Sequence, residues 1–151
     1  MVENRVETWM AVALQEAQQA ASEGEIPIGA VAVLDQEVLC SDHNRSIQLS
    51  DPTAHAEVLV LREAGRRLSN YRLGAVDLYV TVEPCAMCAG ALIWARIHRL
   101  VFGVRDEKSG AIFSRVSLLD PGLFNYRVEV VEGVLQERSK QMLQHFFSSR
   151  R

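Results

Sequence analysis

Apolar residues at Val6, Trp9, Met10, Ala13, Leu14, Ala17 and Ala21 recur at three- and four-residue intervals, with charged and amide side chains between them. Such spacing lines one face of a helix, predicted over residues 5–22. Gly24 ends it, since glycine enters the left-handed C-terminal conformation without steric cost. The pattern then changes. IGAVAVL at 28–34 is a continuous apolar run, too short for a helix, and reads as a central strand. Asp35-Gln36 turns it into a partner strand over 37–42. Residues 44–53 are polar and carry a proline, which marks a loop. Val58, Leu59 and Leu61 predict a second helix over 54–67, with Arg62, Arg66 and Arg67 on its remaining surface and Asp51 or Thr53 as its cap. A strand follows at 76–82. A helix at 85–96 begins behind Pro84, a residue suited to a first turn. A strand at 98–104, a loop-rich stretch to 125, a short strand at 127–131 and a helix at 135–147 complete the chain.

The order α-β-β-α-β-α-β-β-α predicts a layered α/β sandwich, a sheet of about five strands with helices on both faces. No repeat, low-complexity tract or linker interrupts it, so residues 1–151 read as a single domain, long enough to bury a core. Sites in such sheets gather where strand ends feed helix starts. Cys85 and Cys88 lie at one such junction.

Composition narrows the classes. With 48% hydrophobic and 23% charged residues, the chain is that of an ordinary soluble globular protein. A net charge of −3 argues against a generic nucleic-acid binder. The charge is uneven, however: residues 1–95 carry 6 basic and 13 acidic residues, net −7, and residues 96–151 carry 10 and 6, net +4. The second part offers a local face for an anionic ligand or merely scattered solvated charge. Three cysteines make no disulfide framework and point to a reducing, cytoplasmic setting. There is no secretory signal pattern, and no apolar run approaches the ~20 residues of a membrane span.

The stretch EPCAMCAGA, 83–91, carries the chemistry. Cys85 and Cys88 at i and i+3 present both sulfurs on one side of a helix, in the first turn, where free N–H groups favour thiolates. A metal clamp, a redox pair and two packing residues all fit that spacing. A zinc clamp demands a third ligand. Of the four histidines, His55 opens a predicted helix and has Glu57 two residues on. Within a continuous helix those two side chains point about 200° apart, but at an open end both can bend over the tip. If the tips at 54 and 85 meet, His55, Cys85 and Cys88 supply three ligands. The fourth position then stays open, as in catalytic zinc sites. Such a site makes water nucleophilic near neutral pH. Glu57, outside the ligand set, is free to carry a proton to a ring nitrogen and then to departing ammonia. A redox pair explains neither His55 nor Glu57. Cys40 beside Leu39 reads as a buried apolar residue, and His98 and His145 as solvated; His43 and Trp94 receive no role. Phe146 and Phe147 are adjacent, so one faces the core and the other solvent.

His-Ala-Glu followed by Pro-Cys-Ala-Met-Cys resembles the H-x-E…P-C-x-x-C signature of the zinc-dependent nucleobase deaminases. EIPIGAVAV, DPTAHAE, NYRL, LYVTVEPCAMCAGA, VFGVRDEKSGA and the closing helix with Phe146-Phe147 resemble, more narrowly, the bacterial tRNA-specific adenosine deaminases, over nearly the whole chain. The resemblance implies a cytidine-deaminase-like three-layer α/β/α sandwich with a mixed sheet. It implies conversion of adenosine to inosine at the wobble position of a tRNA anticodon, with one Zn2+ per subunit on His55, Cys85 and Cys88 and Glu57 as proton shuttle. Asn44 would hydrogen-bond the flipped base, and Ile28 with the backbone around Ala54 and Pro84 would line its pocket. Asp106 would contact the RNA sugar, whose 2′-hydroxyl separates RNA from DNA. Phe146, Phe147, Arg150 and Arg151 would approach the anticodon loop. The implied partners are that loop and a second copy in a homodimer, with no DNA and no membrane. The alternative is a guanine or other free nucleobase or nucleoside deaminase with the same zinc chemistry. The VRDEKSGA loop and the aromatic–basic last helix favour the tRNA branch. A non-catalytic zinc-binding RNA module is the rival from another class, and Glu57 speaks against it.

Overall fold

The computed structural model describes residues 2–150. Its elements are α1 (Val2–Ser22), β1 (Gly29–Leu34), β2 (Glu37–His43), α2 (Ala56–Leu68), β3 (Asp77–Val82), α3 (Ala86–Ala95), β4 (Arg99–Val104), β5 (Glu129–Val131) and α4 (Gln136–Ser148), in the predicted order. The strands form one mixed sheet, β2-β1-β3-β4-β5. β1 runs antiparallel to β2 and β3, while β3, β4 and β5 are parallel. A parallel pair cannot be joined by a tight turn, and α3 supplies the crossover from β3 to β4. The β1–β2 hairpin turns on Asp35 and Gln36, at φ 52° and 66°. Positive φ at both central residues matches the twist of the flanking strands. Gly24, at φ +83°, stops α1 as its position predicts.

Both sheet faces are covered, which is why the central strands β1, β3 and β4 are apolar on successive residues rather than alternate ones. On one face Val31, Val33, Tyr79 and Val101 pack against Trp9, Met10, Ala13 and Leu14 of α1, with Met142 of α4 alongside. On the other, Ala30, Ala32, Leu78, Val80, Leu100 and Phe102 meet Val60, Leu61 and Ala64 of α2 and Ala89, Leu92 and Ala95 of α3. α1 lies so close to β1 that a Cβ on Gly29 would come within 2.0 Å of the Ala13 carbonyl oxygen. Among the described residues, no helix is long and apolar enough to cross a membrane.

Two expectations change. α2 begins at Ala56, and neither Asp51 nor Thr53 caps it. The Asp51 carboxylate is taken by the Thr53 N–H and hydroxyl, both 2.8 Å away, in a local turn. The Ala56 N–H goes instead to Asn44 Oδ1 at 2.8 Å, an acceptor brought from the end of β2 by the fold. The last strand is also shorter than the 127–131 expected, because only residues 129–131 find partners on β4.

Candidate active site

α2 and α3 start on the same rim of the sheet, and each is preceded by an extended residue. His55 (φ −78°, ψ 150°) is the N-cap of α2, and Cys85 (φ −76°, ψ 178°) is the N-cap of α3. An N-cap residue stands half outside the helix, so its side chain reaches over the tip rather than along the barrel. Hence His55 is released from the helical phase that would otherwise part it from Glu57. Cys88, one turn into α3, is completely buried; His55 and Cys85 are half-buried. His55 Nδ1 lies 3.6 Å from Cys85 Sγ and 3.6 Å from Cys88 Sγ. The three ligand atoms fall within 4.8 Å of one another.

These distances suit zinc. Tetrahedral bonds of about 2.3 Å to sulfur and about 2.0–2.1 Å to nitrogen set N and S ligands roughly 3.5–3.6 Å apart. The donor set of one imidazole and two sulfurs leaves one tetrahedral position for water or substrate. The electrostatics fit as well. A hydrogen bond from Cys88 lowers the Cys85 thiol to about 4; burial opposes this, and His55 and the Cys88 N–H reinforce it. Cys88, holding the shared proton and buried, is pushed up. His55 is raised, chiefly by its hydrogen bond to Cys85.

Glu57 is 4% exposed and stands in the first turn of α2. Burial pushes its carboxyl up to about 7, and the negative Cys85 sulfur adds to this; its own N–H, His55 and Cys88 pull the other way. A buried carboxyl outside the three-atom cluster is suited to holding and passing a proton.

Around this centre the structure sorts the remaining expected residues. Asn44 is buried, and its Oδ1 is committed to the Ala56 N–H. It lines a cleft of about 230 Å³ together with Ile26, Ile47, Phe146 and Arg150. Phe146 is buried and Phe147 is 48% exposed, edge-on to it, while the Arg150 guanidinium covers the Phe146 ring at 3.8 Å. The Ala54 carbonyl accepts the Arg45 N–H at 3.0 Å, and the Pro84 carbonyl accepts the Ala111 N–H at 2.8 Å. Ile28 packs, partly buried, on the core beneath α2 and α3. Asp106 Oδ1 takes the Lys108 and Ser109 N–H groups in a tight turn. Ile28, Ala54, Pro84, Asp106 and Phe147 are not in the lining of the Asn44 cleft. Arg151 lies outside the described residues.

Three buried polar residues carry structure that the sequence pattern does not announce. Glu25 accepts the Ile47 and Gln48 N–H groups at 3.2 and 2.8 Å, holding the loop that follows Asn44. His43, 2% exposed, bridges Glu16 and Glu23 at 2.7 and 2.8 Å and ties β2 to α1. Glu83 gathers backbone donors from residues 106–114. Burial alone would raise its pKa; the bonds from Phe113 and Ser114 outweigh burial and hold it low. The one visible signal was an acid closing the apolar run LYVTV. A cleft of about 810 Å³ lies apart from the cluster, on the outer side of α2 and α3 beside Tyr71 and Trp94.

Residues 4–151 match the family model of the MafB19-like deaminases. A tRNA-specific adenosine deaminase of Haemophilus influenzae is 49% identical over 146 residues, which is 96% of this chain and 84% of that protein. A structure from a study of A-to-I editing by tRNA:A34 deaminases at the wobble position superposes with a TM-score of 0.87 and 43% identity, covering 90% of this chain and 99% of that one. A guanine deaminase of Nitrosomonas europaea superposes with a TM-score of 0.81 at 22% identity, covering 94% and 84%, and shares the fold.

Proposed function

The chain belongs to the tRNA-specific adenosine deaminases within the MafB19-like deaminase family, and from that membership we infer that it converts adenosine to inosine at the wobble position of a tRNA anticodon, releasing ammonia. The observation that carries this reading to the site is the meeting of His55 Nδ1 with two cysteine sulfurs at 3.6 Å, beside a buried Glu57. His55, Cys85 and Cys88 hold one zinc ion per subunit. Bound there, zinc supplies Lewis acidity that makes water a nucleophile at neutral pH.

The residues of the chain do the rest. Water adds to C6 of the adenine ring, and Glu57 takes a proton from it and delivers it to N1. Glu57 then carries the second proton to the exocyclic nitrogen, which leaves as ammonia, so one carboxyl alternates between base and acid. Asn44 has spent its Oδ1 on α2, and its amide N–H2 is the group left to donate to an acceptor on the base. Ile28 and the chain at Ala54 and Pro84 form the pocket wall; their carbonyls are already bonded, which keeps that wall rigid. Asp106 meets the ribose of the target nucleotide, and Phe146, Phe147 and Arg150 meet the anticodon loop, Arg150 lying within 3.8 Å of the Phe146 ring.

The active form is a homodimer of one-domain subunits. Support comes from the large cleft outside α2 and α3, rimmed by Trp94 at 81% and Tyr71 at 74% exposure. An apolar patch bordered by arginines is the usual mark of a protein contact. Free thiols at Cys40, Cys85 and Cys88 suit a reducing cytoplasm. The deciding experiment incubates the protein with an anticodon stem-loop and, separately, with free guanine, adenosine and cytidine. Inosine in the stem-loop is the expected product. Conversion of a free base alone would overturn the tRNA assignment and leave the zinc chemistry standing.

A further inference from the structure

Glu83 follows directly on β3 and precedes Cys85 by two residues. The residue is 3% exposed. Oε1 accepts the Asp106 N–H at 3.0 Å and the Ser114 hydroxyl. Oε2 accepts the N–H groups of Ile112, Phe113 and Ser114 at 3.0, 2.8 and 2.9 Å. The neighbouring Pro84 carbonyl takes the Ala111 N–H as well. Residues 106–114 contain no helix or strand, so no ladder serves the N–H groups of Asp106, Ile112, Phe113 and Ser114, and Glu83 is the acceptor that satisfies them. One carboxylate thus stands in for a strand. Gly110 permits the approach, because a Cβ there would sit 2.3 Å from the Glu83 carboxylate and 2.6 Å from the Asp106 carbonyl.

Two further facts give this clamp a direction. It joins the start of the segment, Asp106, to the strand–helix junction that presents Cys85 and Cys88. It also pins Asp106 itself: the N–H is held by Glu83, and Oδ1 is held by Lys108 and Ser109. Oδ2 is left without a hydrogen bond among the described residues. We propose that Glu83 is a positioning residue for substrate recognition. By fastening residues 106–114 to the metal-bearing junction, it sets the distance between the reacting base and the group that meets its ribose, and thereby enforces the preference for a ribonucleotide target. The inference rests on the reading of Asp106 given above.

The test compares the parent, Glu83→Gln, Gly110→Ala and Asp106→Ala as zinc-loaded full-length proteins. Glu83→Gln keeps the volume but sets an N–H2 against backbone donors; Gly110→Ala presses on the same contact from the opposite side and serves should Glu83→Gln fail to fold. Substrates are an anticodon stem-loop and the same stem-loop with a 2′-deoxy target nucleotide. Amide hydrogen exchange is read separately, without RNA. The expected result is one zinc per chain throughout, exchange at 106–114 at least tenfold faster in both clamp variants, and a ribo-to-deoxy ratio of kcat/KM at least tenfold lower, near that of Asp106→Ala. Equal slowing on both substrates, or unchanged exchange at 106–114, would overturn the proposal. A parent with no ribose preference would instead overturn the Asp106 reading and the sugar clause with it, while the exchange arm still decides the clamp.

Discussion

Cys88 has no exposed surface and its sulfur lies 3.6 Å from His55 Nδ1, so any change there is felt by the ligand cluster rather than by solvent. Cys88→Ser exchanges a thiolate donor for a hydroxyl that stays protonated at neutral pH, and zinc content by elemental analysis should fall from one per chain toward zero. Normal zinc in that variant contradicts the ligand set. Glu57, buried beside the cluster without belonging to it, calls for the opposite outcome. Glu57→Ala should keep its zinc and lose turnover by about 10²–10⁴, the usual worth of a positioned proton carrier. Inosine formation near the parental rate would remove the shuttle role. At this scale the chemistry was readable from residue types, because imidazole, thiol and carboxyl declare what they can bind or transfer. Glu25, Glu83 and His43 were not, since nothing local says that a charged side chain will be buried. Their partners lie 22, 29 and 27 residues away.

The start of α2 shows how an element and a site share parts. Asn44 caps the helix through Oδ1 and has its amide N–H2 left over. Asn44→Ala removes both functions, and loss of the cap should cost about 1 kcal/mol in urea denaturation. Asn44→Asp preserves the acceptor, and a negative group suits the positive end of a helix. It should therefore retain more stability than Asn44→Ala while losing turnover to a similar degree. Full activity in the aspartate variant would show that the N–H2 donates nothing to the base. The cap was misassigned to Asp51 or Thr53 because capping rules search the few residues before a helix, and this acceptor arrives from twelve residues upstream. Element identity fared better. Apolar periodicity is set by neighbouring residues, so all the predicted elements recur with edges moved by a few residues.

For the molecule as a whole, the open question is what covers the outer face of α2 and α3. Trp94→Glu places a charge at the most exposed aromatic of that face. It should convert a sedimenting dimer to monomer without removing zinc; a parent that sediments as a monomer would end the homodimer reading. The chain alone determined the kinds of elements, their order, the two-faced burial of the sheet and the donor types available for a metal and a proton, because each follows from residue chemistry and short-range spacing. The tertiary structure decided which helix tips meet. His55 reaches Cys85 and Cys88 across 30 and 33 residues of chain only because β2 and β3 flank β1, both antiparallel to it, and so send α2 and α3 off the same rim. It likewise decided that Glu83 would bind a distant loop. Contacts of that kind depend on sheet order and register, which arise from the packing of all the strands together and leave no mark in any short stretch of sequence.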